Sequence, residues 1–386
     1  MRVLHIYKDY FPPVLGGIER HVNLLANGLA GRGAAVRVLV ASRSWQLEQE
    51  AIGGIEVTRV PQIGRLASAP LAPTFSWWLR RLGRDCDILH FHFPNPTGEL
   101  AALAAGLPAR HVVTYHSDIV RQRVLLRFYA PFMHRFLRRA DALIAASPNY
   151  VRTSKVLSRY EGKCRVIPYG VELRKYAPTE KDLLKIKALR SQFGPSILLF
   201  VGRFRYYKGL HILIEAMKVI DGRLLIVGAG PLERRLRRQV AEAGLQERVI
   251  FLGELMDEAM TLYLQACDIF VLPSVFRSEA FGIVQLEAMS FGKPVVSTEL
   301  GTGTSFVNQH LRTGLVVPPS DPGAFAGAVN YLLFDGEVRK RYAQSGLERV
   351  EKLFGVDLMV DHVLDLYRAC IEGRVRSAGP GARENR

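Results

Sequence analysis

Two glutamates in the segment SEAFGIVQLEAMSFGKPVV are the residues best placed to do chemistry. Glu279 precedes a glycine-containing turn, and Glu287 lies on the short apolar helix predicted after that turn. The N–H groups of Phe281, Gly282 and Ile283 open this helix, where an anion or a sugar hydroxyl is attracted. The glutamates would lie about 12 Å apart on a continuous helix, whereas paired glycosidase carboxylates lie roughly 5–9.5 Å apart. The spacing therefore favours two separate ends of one extended ligand, such as the hexose and the ribose of a nucleotide sugar.

The loop GRFRYYKG, which follows the apolar run ILLFV, supplies two cations, Arg203 and Lys208. Both would lie at the carboxyl end of a strand, where ligands bind in α/β sheets. Arginine offers a planar fork and lysine a mobile point charge, which together suit a diphosphate. From the spacing alone, a solvated basic loop remains an equal alternative.

Glycine-rich turns follow two of the predicted strands. Gly228, in GAGP, would let the backbone approach a ligand closely. The run is not a dinucleotide fingerprint, because Glu233 stands where the third glycine is needed, and this argues against a nicotinamide dehydrogenase. Gly16 and Gly17 precede the first helix and could expose N–H donors to a diphosphate or an acceptor. Structural turns are the alternative for both segments.

Three further polar positions lie at strand ends. His116, in VVTYHSD, is either a ligand contact or a core or capping histidine. Asp118 is a weaker candidate, because an aspartate after a strand commonly caps a helix. Asp85 and Asp87 form a nominal DxD, but they run straight into the strand DILHFHF, so no metal site is predicted there.

These motifs occur in the order that is typical of one family. The Gly-Gly loop, the histidine after VVTY, the GR…KG pair and the E-x7-E pattern resemble the retaining glycosyltransferases of the GT-B fold, family 4. The resemblance extends from the N-terminal loop to the helix near residue 365. It implies two Rossmann-like domains facing across a cleft, with a C-terminal helix that crosses back to the first domain.

The resemblance also implies a role for each candidate residue. Arg203 and Lys208 would bind the donor diphosphate and stabilise the departing nucleotide. Glu279 would contact the hexose and Glu287 the ribose, while His116 would lie beside the transferred sugar. The remaining donor contacts would come from Gly16, Gly17, Gly228, Phe251, Leu252, Phe281, Gly282 and Ile283. No metal and no other cofactor is expected.

The segment 299–319, ELGTGTSFVNQHLRTGLVVPP, resembles the sugar-side loop of O-antigen-type members that use GDP-mannose or GDP-rhamnose. We therefore expect a hexosyltransferase that acts with retention on a lipid-linked or polysaccharide acceptor in cell-surface glycan biosynthesis. One alternative is a synthase on the same fold that releases a soluble sugar or sugar phosphate. An alternative of another class is a basic nucleic-acid-binding protein.

The net charge of +16 indicates an anionic partner. No helix-turn-helix or aromatic RNA-binding motif is visible, so no nucleic acid is expected. Arg121–Arg139 holds six arginines and no acid among apolar residues, which suits anionic lipid headgroups. Trp77 and Trp78 could add an interfacial anchor, and Pro131 should kink the segment or divide it into two helices. A core helix with a charged outer face is an equal alternative.

No apolar run reaches the ~18 residues that span a bilayer, and the start lacks the features of a signal peptide. We therefore expect a cytoplasmic protein on the inner face of the cell membrane. The four cysteines are scattered, so neither a disulfide framework nor a zinc site is predicted.

Short apolar runs alternate with helical patterns, which predicts a parallel, doubly wound sheet in each half. The predicted organisation is an acceptor domain over 1–172 and a donor domain over 173–355. A helix over 356–373 would pack back on the first domain, and a disordered tail would follow over 374–386.

Overall fold

The computed structural model describes residues 1–14, 16–67, 69–120, 122–173 and 178–374. Contacts divide the chain into two units: unit 1 is Met1–Gly170 with the segment from Val356 onward, and unit 2 is Val171–Gly355. The predicted tail lies, from residue 375 onward, outside the described residues, as does Arg121. No helix within the described ranges is both long enough and apolar enough to cross a membrane.

Unit 1 is built on a sheet of eight strands in the order β10-β9-β8-β7-β1-β2-β4-β3. Neighbouring strands are parallel except β3 and β4, and β5 and β6 form a separate antiparallel hairpin. The strands are β1 Arg2–Ile6, β2 Ala35–Ala41, β3 Glu48–Ile52, β4 Ile55–Val60, β5 Gly64–Leu66, β6 Ala69–Leu71, β7 Ile88–Phe93, β8 Arg110–Tyr115, β9 Ala142–Ala145 and β10 Cys164–Val166.

Helices cover the sheet of unit 1. They are α1 Gly17–Ala30, α2 Phe75–Gly83, α3 Pro96–Ala105, α4 Arg123–Arg139, α5 Pro148–Thr153 and, from the end of the chain, α14 Val356–Ile371. Helix α14 packs against α1, and both contribute buried side chains to one core with strands β1 and β2. Arg32, just after α1, bonds to Asp357 and Asp361 of α14. The last helix therefore belongs to unit 1, although unit 2 separates it from the rest of that unit in sequence.

Two features of unit 1 differ from the sequence prediction. The antiparallel edge strand β3 was not predicted, because four of its five side chains are exposed and no apolar alternation marks it. Helix α4 runs through Pro131 as one helix, so of the two predicted alternatives, a kink or a division into two helices, the division is wrong.

Unit 2 has a six-stranded, wholly parallel sheet in the order β13-β12-β11-β14-β15-β16. Its strands are β11 Ile197–Val201, β12 Arg223–Val227, β13 Val249–Gly253, β14 Ile269–Leu272, β15 Val295–Thr298 and β16 Gly314–Val317. Because the central strands are buried on both faces, they appear in the sequence as continuous apolar runs.

The helices of unit 2 are α6 Glu180–Phe193, α7 Leu210–Ala216, α8 Glu233–Glu242, α9 Asp257–Ala266, α10 Ile283–Ser290, α11 Thr304–Val307, α12 Pro322–Phe334 and α13 Gly336–Leu353. Helices α7, α8, α12 and α13 share one buried cluster with the sheet. Helix α10 packs against α13, which fixes the segment that carries the two glutamates.

Candidate active site

The strand order of unit 2 identifies where a ligand should bind. From β11 the chain continues through β12 to β13 on one side, and from β14 it continues through β15 to β16 on the other. Neighbouring strands β11 and β14 therefore form a topological switch point, and ligands of open α/β sheets bind at the carboxyl ends of such a pair. The segments that leave these two ends contain Arg203 and Lys208 in one case and Glu279 in the other.

Lys208 and Glu279 meet directly at this switch point. The Lys208 Nζ lies 2.6 Å from the Glu279 Oε2, and both side chains are largely buried. Burial opposes the charge on Lys208, but the adjacent carboxylate of Glu279, together with Tyr207, outweighs burial and raises the pKa of the lysine above its ordinary value. Lys208 is therefore a cation at neutral pH, although water is largely excluded from it.

Two glycines allow the loops to come this close. Gly209 has φ +69°, and a Cβ there would lie 1.8 Å from the carbonyl oxygen of Pro273, in the segment after β14. Gly228 has φ +126°, and a Cβ there would lie 2.2 Å from the carbonyl oxygen of Gly202. A side chain at either position would push the loops apart, so these glycines are needed for close backbone approach.

The backbone around Glu279 is held by the loop that follows the neighbouring strand β15. Thr302 Oγ1 donates to the carbonyl oxygen of Glu279 at 2.8 Å, and the Gly303 N–H donates to that of Ala280 at 2.7 Å. Gly282, in a left-handed conformation, precedes α10, which begins only at Ile283. The separation of about 12 Å, which assumes a continuous helix, therefore does not apply to Glu279 and Glu287.

Glu287 lies on α10 and is half-buried. Phe281 is buried, with 2% exposure, so its side chain belongs to the core. Gly282 is also buried, and a Cβ on it would lie 2.6 Å from Gln285 Nε2. This turn can therefore offer only backbone groups to a ligand.

The other predicted donor contacts surround the same end of the sheet. Arg203 is exposed, and its side chain makes no ion pair or hydrogen bond with the described residues. The guanidinium carbon of Arg237 lies 4.5 Å from the ring centroid of Phe251, which is half-buried in β13 together with Leu252. Gly228 follows the adjacent strand, β12.

Unit 1 has a switch point of its own, between β1 and β7. Gly16 and Gly17 lie where α1 begins after β1, and a Cβ on Gly16 would lie 2.0 Å from the Glu19 Oε2. Lys8, which the sequence did not single out, follows β1. Its ammonium makes no ion pair or hydrogen bond with the part of the chain that is described, and burial lowers its pKa.

His116 directly follows β8 and ends a row of buried histidines. His5 Nδ1 lies 3.0 Å from His92 Nε2, and His92 Nδ1 lies 3.0 Å from His116 Nε2. His116 Nδ1 lies 2.6 Å from the hydroxyl of Tyr169. Burial lowers the pKa of His5 to about 3 and places those of His92 and His116 well below 6.5. The row is therefore neutral, and a sugar could reach a ring nitrogen of His116 only by displacing one of these bonds.

Only a part of the row could have been found from the sequence. His90 and His92 are two residues apart in β7, so both face the same side of the sheet. His5 is the register partner of His90 on β1, but that neighbour relation depends on the strand order, which the sequence did not give.

The same cluster contains the one candidate metal centre that the described residues offer. One nitrogen each of His5, His90 and His92 lie within 4.8 Å of one another, and neutral imidazoles are metal ligands. The ring nitrogens of His90 instead bond to Tyr367 and Thr114. Five of the six ring nitrogens of these histidines have hydrogen-bond partners, and among the described residues only His5 Nε2 has none.

Asp85 and Asp87 are used within unit 1. Asp85 Oδ1 lies 2.6 Å from Arg37 Nη2, and its other oxygen lies 3.8 Å from Arg2. Asp87 Oδ2 accepts a hydrogen bond from the Arg2 N–H at 2.7 Å. Asp118 accepts from Tyr115 and Ser154, which is a structural role.

Comparisons with known proteins agree with this architecture. The model for Glycosyltransferase Family 4 matches residues 15–175, and that for Glycosyl transferases group 1 matches residues 184–349. The O-antigen chain mannosyltransferase C of Escherichia coli is 41% identical over 374 residues, which cover 97% of this chain and 100% of that protein. The D-rhamnosyltransferase WbpZ of Pseudomonas aeruginosa is 42% identical over 354 residues, or 92% of each chain.

A solved structure shares the whole fold. Sucrose-phosphate synthase from Thermosynechococcus elongatus has a TM-score of 0.81 and 26% identity, with 96% of this chain and 99% of that chain covered. Both units are α/β, both family models match, and two relatives are 41% and 42% identical over nearly the whole chain. This protein therefore belongs to the family 4 (group 1) glycosyltransferases and has the GT-B fold.

Proposed function

We propose that this glycosyltransferase moves a hexose of the mannose or rhamnose type from a nucleoside diphosphate donor to a lipid-linked or polysaccharide acceptor, with retention. The observation that carries the proposal is the contact between Lys208 and Glu279 at the switch point of unit 2. A cation that suits a phosphate and a carboxylate that suits a hydroxyl are adjacent there. This pair of groups suits a sugar joined to a diphosphate.

The cations account for the chemistry of the leaving group. Cleavage of the bond between the anomeric carbon and the phosphate oxygen places negative charge on the diphosphate. Lys208 and the unpaired Arg203 would neutralise this charge as it develops. Because the lysine is largely buried, its attraction for the charge is screened less than at the surface. The acceptor hydroxyl would attack on the face that the diphosphate leaves.

Recognition of the donor would be divided among three groups. Glu279 would accept hydrogen bonds from the hexose and Glu287 from the ribose, while the backbone of Phe251 and Leu252 would face the base. Relatives named as a mannosyltransferase and a rhamnosyltransferase support the choice of hexose. The loop 299–319 resembles that of family members that use GDP-mannose, which supports guanine as the base of the donor.

The acceptor would bind at unit 1. No metal is required in this proposal, because Arg203 and Lys208 supply the positive charge that a metal ion would otherwise supply at the diphosphate.

Helix α4 supports docking on an anionic membrane. Val124, Leu125, Phe128 and Phe132 are exposed by 71%, 44%, 76% and 50%. Met133, Phe136 and Leu137 are buried on another face of the same helix, so the exposed residues are not its core side. The exposed residues Arg127, Arg135, Arg138 and Arg139 lie on the same helix. An apolar stripe flanked by arginines suits lipid headgroups and would hold the enzyme on the inner face of the membrane.

Thermal unfolding with nucleotide sugars tests the donor. GDP-mannose or GDP-rhamnose should raise the melting temperature more than UDP-glucose or ADP-glucose, because ligand binding to the native state stabilises it. Lys208→Met should remove the shift, whereas Lys218→Met, which changes an exposed lysine paired with Glu215, should keep it. Equal shifts for Lys208→Met and the native chain would contradict the phosphate assignment.

Vesicle flotation tests the docking. The chain should float with vesicles that contain phosphatidylglycerol and not with phosphatidylcholine alone. The double change Phe128→Ser and Phe132→Ser should reduce flotation. Phe334→Ser, which changes a phenylalanine of unit 2 that is 94% exposed, is the matched control. Undiminished flotation of the double variant would rule out α4 as the docking helix.

A further inference from the structure

The two carboxylate oxygens of Glu279 have different surroundings. Oε2 lies 2.6 Å from Lys208 Nζ and accepts a hydrogen bond from Ser274 Oγ at 3.0 Å. No hydrogen bond from any described residue reaches Oε1. With both donors on one oxygen, the other oxygen remains free to accept from a ligand.

Ser274 is itself rigidly placed. It is fully buried, two residues beyond the end of β14. Its carbonyl oxygen accepts a hydrogen bond from the hydroxyl of Thr298, at the end of the adjacent strand β15. Since β14 and β15 are paired in register, this bond ties the backbone of Ser274 to the sheet, five residues before Glu279 in the same segment.

A single lysine contact does not define how a carboxylate is rotated. The terminal torsion of a glutamate is broad and roughly two-fold, and an ammonium group can approach either oxygen or both. The second donor, which arrives from Ser274, distinguishes the two oxygens. Without it, the carboxylate of Glu279 could turn until both oxygens face Lys208.

We propose that Ser274 is a positioning residue: it holds the carboxylate of Glu279 so that Oε1 alone accepts a hydroxyl of the transferred hexose, while Oε2 stays on Lys208. The inference rests on the proposed function, in which Glu279 binds the sugar. It assigns to Ser274 a role in recognising the hexose and none in binding the nucleoside diphosphate.

The test compares the binding of GDP-mannose with that of GDP by calorimetry. Ser274→Ala removes the hydroxyl without adding bulk. We expect the Kd for GDP-mannose to rise roughly 10-fold, since one hydrogen bond to a charged group is affected, while the Kd for GDP is unchanged. Ser274→Cys, which keeps a weak donor of similar size, should give an intermediate value. In a Glu279→Gln background, Ser274→Ala should add no further loss.

Ser297→Ala is the matched control, because Ser297 is equally buried in β15 and its hydroxyl bonds to Asn308 at 2.9 Å. This control should leave the ratio of the two dissociation constants unchanged. If Ser274→Ala weakens the binding of GDP and of GDP-mannose equally, Ser274 supports the loop in general and the inference is overturned. The inference is also overturned if the ratio of the two dissociation constants is unchanged because neither constant changes. Failure of the native chain to bind any nucleotide sugar would instead overturn the proposed function itself.

Discussion

Acidification should destabilise unit 1 selectively. Five histidines there are almost fully buried, namely His5, His21, His90, His92 and His116. Burial is the largest cause that lowers the pKa of each, to about 3 for His5 and His21 and well below 6.5 for the other three. These groups stay neutral in the folded chain at a pH where they become charged in the unfolded chain.

The size of the effect follows from this difference. A depressed native pKa means that the unfolded state binds more protons below pH 6.5, so stability falls as the pH falls. At pH 5.5 each histidine costs about 1.4 kcal/mol, or about 7 kcal/mol for five.

Glu99 acts in the opposite sense. Burial raises its pKa to about 8, so between pH 7.5 and 5.5 the native state binds a proton that the unfolded state does not bind. This proton adds about 3 kcal/mol to the free energy of unfolding over that range. The net loss is about 4 kcal/mol over that range, which is a large share of the 5–15 kcal/mol that is typical of whole proteins.

Tryptophan fluorescence can follow unit 1 by itself, because all three tryptophans, Trp45, Trp77 and Trp78, belong to it. Urea unfolding at pH 7.5, 6.5 and 5.5 should show a falling midpoint. His21→Leu should lessen the pH dependence by about 1.4 kcal/mol in total between pH 7.5 and 5.5, and no hydrogen bond is lost, because neither ring nitrogen of His21 has a partner among the described residues.

His362→Gln, an exposed change on α14, should behave like the native chain. A free energy of unfolding that is constant from pH 7.5 to 5.5 would refute the assignment of the row as buried and neutral.

Three further changes test other parts of the molecule. Glu99→Gln should raise the free energy of unfolding above that of the native chain at pH 8.5, and by less at pH 5. The reason is that a raised native pKa contributes stability below pH 4.5 that is lost as the pH rises through about 8. If urea unfolding gives the same difference between variant and native chain at both pH values, this reasoning is contradicted. Gly209→Ala should destabilise unit 2 by more than about 1 kcal/mol and weaken donor binding, since the added Cβ meets the backbone of Pro273; unchanged thermal unfolding and donor affinity would show that the loops are not in contact. EDTA should leave transfer rates intact, whereas a loss that manganese restores would return attention to Asp85 and Asp87.

Much of the candidate site was predictable because it depends on local chemistry. Strands that are buried on both faces are continuous apolar runs, and the loops after them carry Arg203, Lys208 and Glu279. Ser274 could not be singled out, because its importance comes from the oxygen of Glu279 that it contacts. Lys8 was missed for a similar reason: a lysine after a strand is ordinary until its surroundings leave it half-buried and without an ion pair among the described residues.

The amino-acid sequence by itself determined that the chain alternates strands and helices in two halves and that glycines and charged residues follow particular strands. These are properties of neighbouring residues, set by periodicity and backbone freedom. Only the tertiary structure decided that Lys208 and Glu279 share one contact and that His5, His92 and His116 form one row. Each of these depends on strand order, and strand order is fixed by packing between segments far apart in the chain.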